Sequence, residues 1–207
     1  MNIQSLTEAG LRRTILDTSR QMLVTDGFNQ LSMRKIAGEV GCSATSIYLY
    51  FDNKDALLHA LIDEGFEMIY SLIRVKVKTD ASAADQFQEI CREFINFGLN
   101  NPEYYKIMFL IDPGNISRLP AEKFRKARRP VVMMIETLTE GRESGYFNIK
   151  DPELTAHVIW SSLHGAVTAI LTNRMDVKID QNLFIDLVIN HAMRAITAEA
   201  LVTDIKI

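Results

Sequence analysis

The strongest constraint in this chain is a spacing: Ala37, Gly41 and Ile47 stand as Ala-x3-Gly-x5-Ile inside the run Ser32–Phe51. Two short helices that cross at a steep angle need a small residue at the crossing, and Ala37 supplies it. The turn between them needs a backbone with positive φ four residues later, which Gly41 adopts without steric cost. The second helix must then drop an apolar side chain between the two, and Ile47 is placed to do so. Ser32 and Ser43 stand where each helix needs an N-cap. The spacing predicts a helix-turn-helix motif over about residues 32–51, and an ordinary core αα-hairpin is the alternative that satisfies the same spacing.

Outside the motif, helical period dominates. Leu11, Ile15, Ser19 and Met22/Leu23 line a first helix that stops at Gly27. Met33, Ile36, Ala37 and Val40 line a second, and a third is expected from Ser43 to about Tyr50. A long fourth helix follows Asn53, with Leu57/Leu58, Leu61/Ile62, Gly65, Met68/Ile69 and Leu72/Ile73 on one stripe. A fifth carries Phe87, Ile90/Cys91, Phe94/Ile95 and Gly98. Tyr104–Ile111 is a short one, closed by a turn at Asp112-Pro113-Gly114-Asn115. One helix is expected from Pro120 to about Glu140, then two long apolar ones over about 152–172 and 181–200. No window alternates as a strand would. The expected fold is all-α: a three-helix helix-turn-helix head at 1–54 joined to a larger helical body at 55–207.

Composition agrees with a globular chain of 207 residues, 47% hydrophobic and 24% charged. No uninterrupted apolar stretch nears the ~20 residues of a membrane span, and Met1–Gly10 lacks the pattern of a secretory signal. Two cysteines, Cys42 and Cys91, make neither a disulfide framework nor a metal cluster. The cytoplasm, with no membrane partner, is the expected location. Residues 1–54 hold six Lys/Arg against five Asp/Glu, which is +1, leaving −4 of the net −3 for the remainder. That sign suits a DNA-binding head on an acidic body.

Several motifs occur together in one order: Ile15-Leu16-Asp17, Asp26-Gly27-Phe28, Ser32–Ala37, Gly41-Cys42-Ser43, Ile47-Tyr48-Leu49-Tyr50-Phe51 and Asn53–Leu58. Over about residues 11–62 the chain resembles the tetracycline-repressor (TetR) family. It departs at Tyr50, where members often carry His, and at Ala44-Thr45, where many carry Lys-Gly. In the second half, Trp160-Ser-Ser-Leu-His164-Gly165 is similar to a Trp…His-Gly signature in a subset of these repressor bodies. The resemblance implies a homodimer that binds operator double-stranded DNA and responds to a small molecule.

A recognition helix offers its first side chains to base edges in the major groove. Here these are Ala44, Thr45 and Ser46, with Tyr48 one turn on. Ala44 and Thr45 suit a thymine methyl, so DNA shape should share in the readout. Phosphate contacts are expected from Ser32, Ser43, Tyr48, Tyr50 and Lys54, with Arg34 reaching a phosphate or a base. Leu49 and Phe51 are assigned to core.

In the body, Met68, Phe94, Phe97, Tyr104, Met108, Met134, Trp160 and His164 are candidates for lining a cavity for an apolar or amphipathic effector, since Met adapts to irregular apolar shapes. Tyr105, Phe109 and Met133 are further candidates, and core packing is the alternative for each. His157, Ser161 and His164 share a helix face without enough neighbouring ligands for a metal, and no cofactor is implied. Lys123, Arg125, Lys126, Arg128 and Arg129 read as a solvated face rather than a second DNA surface. The last two helices carry Val158/Ile159, Leu163, Ala166/Val167, Ile170/Leu171, then Leu183/Phe184, Leu187/Val188, His191/Ala192 and Ala195/Ile196. Such stripes fit a two-fold four-helix dimer seam. No Ser-His-Asp or Cys-His constellation, paired carboxylates or phosphate loop marks an enzyme. The open alternatives are an activator or architectural DNA-binding protein, and a helical small-molecule carrier.

Overall fold

In the computed structural model, which describes residues 8–111 and 121–197, ten α-helices and one short 3-10 turn account for the regular structure, and no strand occurs among the described residues. The helices are α1 (Glu8–Asp26), α2 (Met33–Val40), α3 (Ala44–Tyr48), α4 (Lys54–Lys76), α5 (Ala83–Asn100), α6 (Pro102–Phe109), α7 (Ala121–Ala127), α8 (Arg129–Glu143), α9 (Pro152–Leu171) and α10 (Gln181–Thr197). The all-α expectation holds. The turn expected at Asp112–Asn115 lies outside the described residues.

Most helix starts are written in the sequence as caps. Ser32 Oγ accepts the Lys35 N–H at 3.2 Å and Ser43 Oγ the Ser46 N–H at 3.0 Å. Asn53, Ser82, Asp151 and Asp180 do the same for α4, α5, α9 and α10. Each such oxygen satisfies a backbone donor that the helix itself leaves orphaned. The single helix expected over Pro120–Glu140 is two, because Pro130 has no N–H to donate and its ring crowds the preceding turn. It is tolerated only within the first turn of α8, so α7 ends at Ala127.

The chain forms two compact units. The first runs to Met68 and includes Asn101–Ala127; the second holds Ile69–Asn100 and resumes at Arg128. In the first, α1 packs on α2 and α6, and α2 packs on α3. Its core is Ile15, Leu16, Leu23, Ile36, Ala37, Ile47, Phe51 and the α4 residues Leu57, Leu58 and Leu61, all buried. In the second, α5, α8, α9 and α10 pack around Phe87, Ile90, Phe94, Ile95, Met134, Leu138, Leu163 and Val167.

By length and composition alone α9 is long and apolar enough to cross a bilayer, but its apolar run is interrupted by Ser161, Ser162 and His164 and it packs on α5, α8 and α10. Its exposed positions are Glu153, Leu154, His157, Val158, Ser161, Ser162 and Gly165, a mixed face in which Leu154 and Val158 are the large apolar side chains.

Leu49 also departs from the expected core. It is 80% exposed, whereas Ile47 is fully buried and Phe51 nearly so. At about 100° per residue, Leu49 lies roughly 200° around the helix from Ile47 while Phe51 returns to the same face. Ile47→Ala should therefore cost about 2–5 kcal/mol, and Leu49→Ala should change stability by less than about 0.5 kcal/mol. Urea unfolding followed by circular dichroism separates the two, and equal losses would contradict this packing.

Candidate DNA-binding and effector sites

The recognition element is built around one left-handed residue. Gly41 sits at φ 79° and ψ 27° after α2, where an L side chain would meet its own backbone. Its N–H and that of Cys42 both donate to the Ala37 carbonyl, at 2.9 and 3.0 Å. This closes α2 and turns the chain within three residues into α3, which packs on α2 and whose Ile47 is fully buried. The third helix is shorter than expected, ending at Tyr48, and its last turn tightens as the Tyr50 and Phe51 N–H groups both donate to the Ile47 carbonyl, at 2.9 and 3.1 Å.

This geometry leaves a compact outward surface. Thr45 and Tyr48 are exposed, Tyr48 at 51%, and Ala44, Ser46 and Tyr50 are half-buried. Ser32, Arg34 and Ser43 are exposed, although the two serine oxygens serve first as helix caps and Ser43 Oγ also lies 2.8 Å from Ser46 Oγ. Lys54 is held at the base of the head: its ammonium lies 3.9 Å from the centroid of the Phe28 ring and donates to the Phe28 carbonyl at 3.0 Å. Leu49, at the end of α3, joins the exposed surface and was missed as a contact candidate. The same helical-period arithmetic that places it outward was the signal available.

The eight residues expected to meet an effector are shared between the two compact units. Met68, Tyr104 and Met108 belong to the first unit, and Phe94, Phe97, Met134, Trp160 and His164 to the second. Tyr104 is nearly buried, with its hydroxyl accepting from Arg20 at 3.0 Å, and Met108 lies against Gly65. Phe94, Phe97 and Met134 are fully buried. Trp160 and His164 are half-buried and cluster with Phe94: ring centroids lie 4.3 Å apart for Phe94–Trp160, 4.9 Å for Phe94–His164 and 5.4 Å for Trp160–His164.

The basic run is engaged locally. Lys126 pairs with Glu122 at 3.5 Å and Arg128 with Glu153 at 3.2 Å, and the Arg129 guanidinium stacks 4.1 Å from the centroid of the Tyr70 ring.

The outer face of α9 and α10 holds a groove of about 530 Å³ lined by Val158, Ala166, Phe184, Leu187, Val188 and Ala195 among others, and by none of the eight expected effector residues. The apolar stripes expected as a seam divide here into two rows. Leu163, Val167 and Ile196 are fully buried within the unit, while Val158, Leu183 and Leu187 are 57–60% exposed. Only the outer row is available to another molecule.

Family models match both parts of the chain: bacterial regulatory proteins of the tetR family over residues 15–61, and the tetracyclin repressor-like C-terminal domain over residues 87–192. The chain belongs to the TetR family. It is thus a transcriptional regulator with a DNA-binding domain, and not an enzyme. The nucleoid occlusion factor SlmA of Haemophilus influenzae is 20% identical over 162 residues, covering 76% of this chain and 74% of that protein. Among solved structures, a Rhodococcus sp. RHA1 protein of unknown function superposes with a TM-score of 0.79 at 20% identity, covering 95% of this chain and all of that one. The regulator FadR of Bacillus subtilis, solved in complex with stearoyl-CoA, gives 0.70 at 21% identity over 91% of this chain and 98% of its own.

Burial holds the His164 imidazole well below its ordinary range, at about 4. Near neutral pH it is therefore uncharged. In the unfolded chain a histidine titrates near 6.5, so between about 4 and 6.5 the unfolded state binds more protons than the folded one. Stability should fall as pH drops from about 6.5 to about 4 and level off below. The His164 Cε1 proton should titrate in NMR with a midpoint near 4, and His164→Gln should flatten the pH dependence of the urea midpoint in that window. A midpoint near 6.5 would contradict the burial.

Proposed function

We propose that this TetR-family regulator is a ligand-released repressor, acting in the cytoplasm, that binds an inverted-repeat operator as a homodimer. The observation that carries the reading is the Gly41–Ile47 geometry, which seats α3 firmly while Thr45 and Tyr48 face outward. Within it, Ala44, Thr45, Ser46 and Tyr48 take the base-edge role, and Ser32, Arg34, Ser43, Tyr50 and Lys54 position the phosphate backbone. The Lys54 ammonium spends one of its three donors on the Phe28 carbonyl and keeps the others for a phosphate. Residues 1–54 are the DNA-binding part and 55–207 the ligand-binding and dimerisation part.

A second copy covers the outer row of α9 and α10. Those helices expose Val158, Leu183 and Leu187 around an apolar groove, and burying such surface stabilises association by about 25 cal/mol per Å². The effector meets Trp160 and His164, whose uncharged imidazole favours an apolar or amphipathic molecule over a small anion. FadR, which shares the fold, is solved with stearoyl-CoA, a molecule of that amphipathic kind. Release follows if the effector binds better to a conformation whose two heads miss the half-sites about 34 Å apart.

Footprinting on the DNA upstream of the protein's own reading frame should reveal two symmetric protected half-sites. Tyr48→Ala should weaken binding to every sequence, about five- to tenfold, whereas Thr45→Ala should relax preference at one base position. Val158→Glu with Leu187→Glu should yield a monomer in sedimentation velocity with poor operator affinity. A dimer that persists in that double variant would remove the seam. Deleting the gene should raise transcription beside the operator, and a fall would make the protein an activator. The similarity to nucleoid occlusion factors favours one other reading, an architectural role. It predicts binding sites scattered along the chromosome away from promoters.

A further inference from the structure

We propose that Arg20 on α1 is a positioning residue for DNA binding: with Asp17, Glu103 and Tyr104 it fastens α6 to the DNA-binding helices, so that α6 moves with the recognition helix as one body. This rests on the reading of the head as the operator-binding part. Arg13, Asp17 and Arg20 fall at i, i+4 and i+7, a single face of α1. Arg13 grips Asp17 with two parallel bonds, Nε to Oδ2 at 2.9 Å and Nη2 to Oδ1 at 2.7 Å, and donates through Nη1 to Glu64 on α4. Arg20 lies 3.2 Å from the same Asp17 carboxylate. Its Nε is 2.9 Å from Glu103 Oε2, and its Nη1 donates to the Tyr104 hydroxyl at 3.0 Å. The guanidinium carbon also stands 4.9 Å from the centroid of the Tyr104 ring. One arginine thus spans from α1 to two successive residues of α6, and Asp17 links it to the Arg13–Glu64 tie on α4.

Isolated surface ion pairs contribute little, but this network has a bidentate pair, a shared carboxylate and a ring stack. Its central side chain is only 21% exposed. The arginine is turned toward α6, so it has no free fork to offer a phosphate. Tyr104 is itself held in place from the far side. A Cβ at Gly65 would lie 2.3 Å from Met108 Sδ and 3.4 Å from the Tyr104 ring, so α6 lies close against the α4 backbone there. Phe66 and Phe109 meet edge to face at 5.6 Å across the same pair of helices. Burial opposes the charge of Arg13 and Arg20, yet their hydrogen bonds raise both above the ordinary value, so both stay protonated. The compact unit that contains α1–α3 accordingly includes α6.

The test is a double-mutant cycle of Arg20→Gln and Glu103→Gln in the full-length protein, with Tyr104→Phe beside it. Operator affinity and affinity for random duplex are measured at fixed salt. Each single variant should lose about tenfold in operator affinity, and the double variant no more than the worse single. Affinity for random duplex and its salt slope should not change, since no phosphate contact is removed. Arg20→Lys should recover only part, because an ammonium can neither fork nor stack as a guanidinium does. Hydrogen exchange, which needs no DNA, should quicken in the α6 amides of Arg20→Gln and stay unchanged in α9. Parallel losses on operator and random DNA would mean that Arg20 touches DNA, and multiplying losses that the pair does not act together; either overturns the proposal. If the parent binds no inverted repeat, the operator reading falls, and unchanged α6 exchange in Arg20→Gln alone then overturns the brace.

Discussion

A helix of five residues cannot sustain itself in water, because nucleation fixes several dihedrals before any hydrogen bond repays the entropy. The element proposed to face DNA, α3, is such a helix. Everything near it compensates for that weakness. Ser43 closes its first turn, the Ala37 carbonyl takes two amides from the turn before it, and Ile47 anchors its middle in the core. The left-handed backbone at Gly41 makes those contacts simultaneous. Lose that conformation and α3 loses its direction before it loses its contacts.

Two kinds of interaction organise the rest of the chain. Around α1 the contacts between helices combine a buried apolar row, Ile15, Leu16 and Leu23, with directional ion pairs from Arg13 to Glu64 on α4 and from Arg20 to Glu103 on α6. In the second unit they are apolar and area-driven, with Phe87, Phe94, Ile95 and Leu163 carrying the core. Ionic contacts specify one arrangement and yield when a partner leaves; apolar packing tolerates sliding but resists separation.

Much of this was legible in the sequence because the signals were local. The Ala37/Gly41/Ile47 spacing fixed the turn, serine, aspartate and asparagine caps marked helix starts, and 3.6-residue periodicity named the core faces. What escaped notice depended on partners remote in sequence. Nothing near Tyr104 announces that its hydroxyl meets Arg20, 84 residues away. Apolar stripes in α9 and α10 could not reveal that Leu163 and Ile196 face inward while Val158 and Leu187 face out, because both rows are equally hydrophobic. The split at Arg128 turned on Pro130 falling within the first turn of a new helix rather than in the interior of one helix. Leu49 differs: its apolar character suggests core, but its angle from Ile47, about 200° around the helix, turns it outward.

Trp160 is the chain's lone tryptophan. It stands edge-on to His164 and against Phe94. Indole emission from this protein therefore arises from a single spot, with no background from elsewhere to subtract. A neighbouring imidazolium quenches indole far more strongly than neutral imidazole does, so brightness and wavelength will register both the proton on His164 and any molecule displacing water beside the ring. The chain carries its own optical gauge at the place where an effector is expected to arrive.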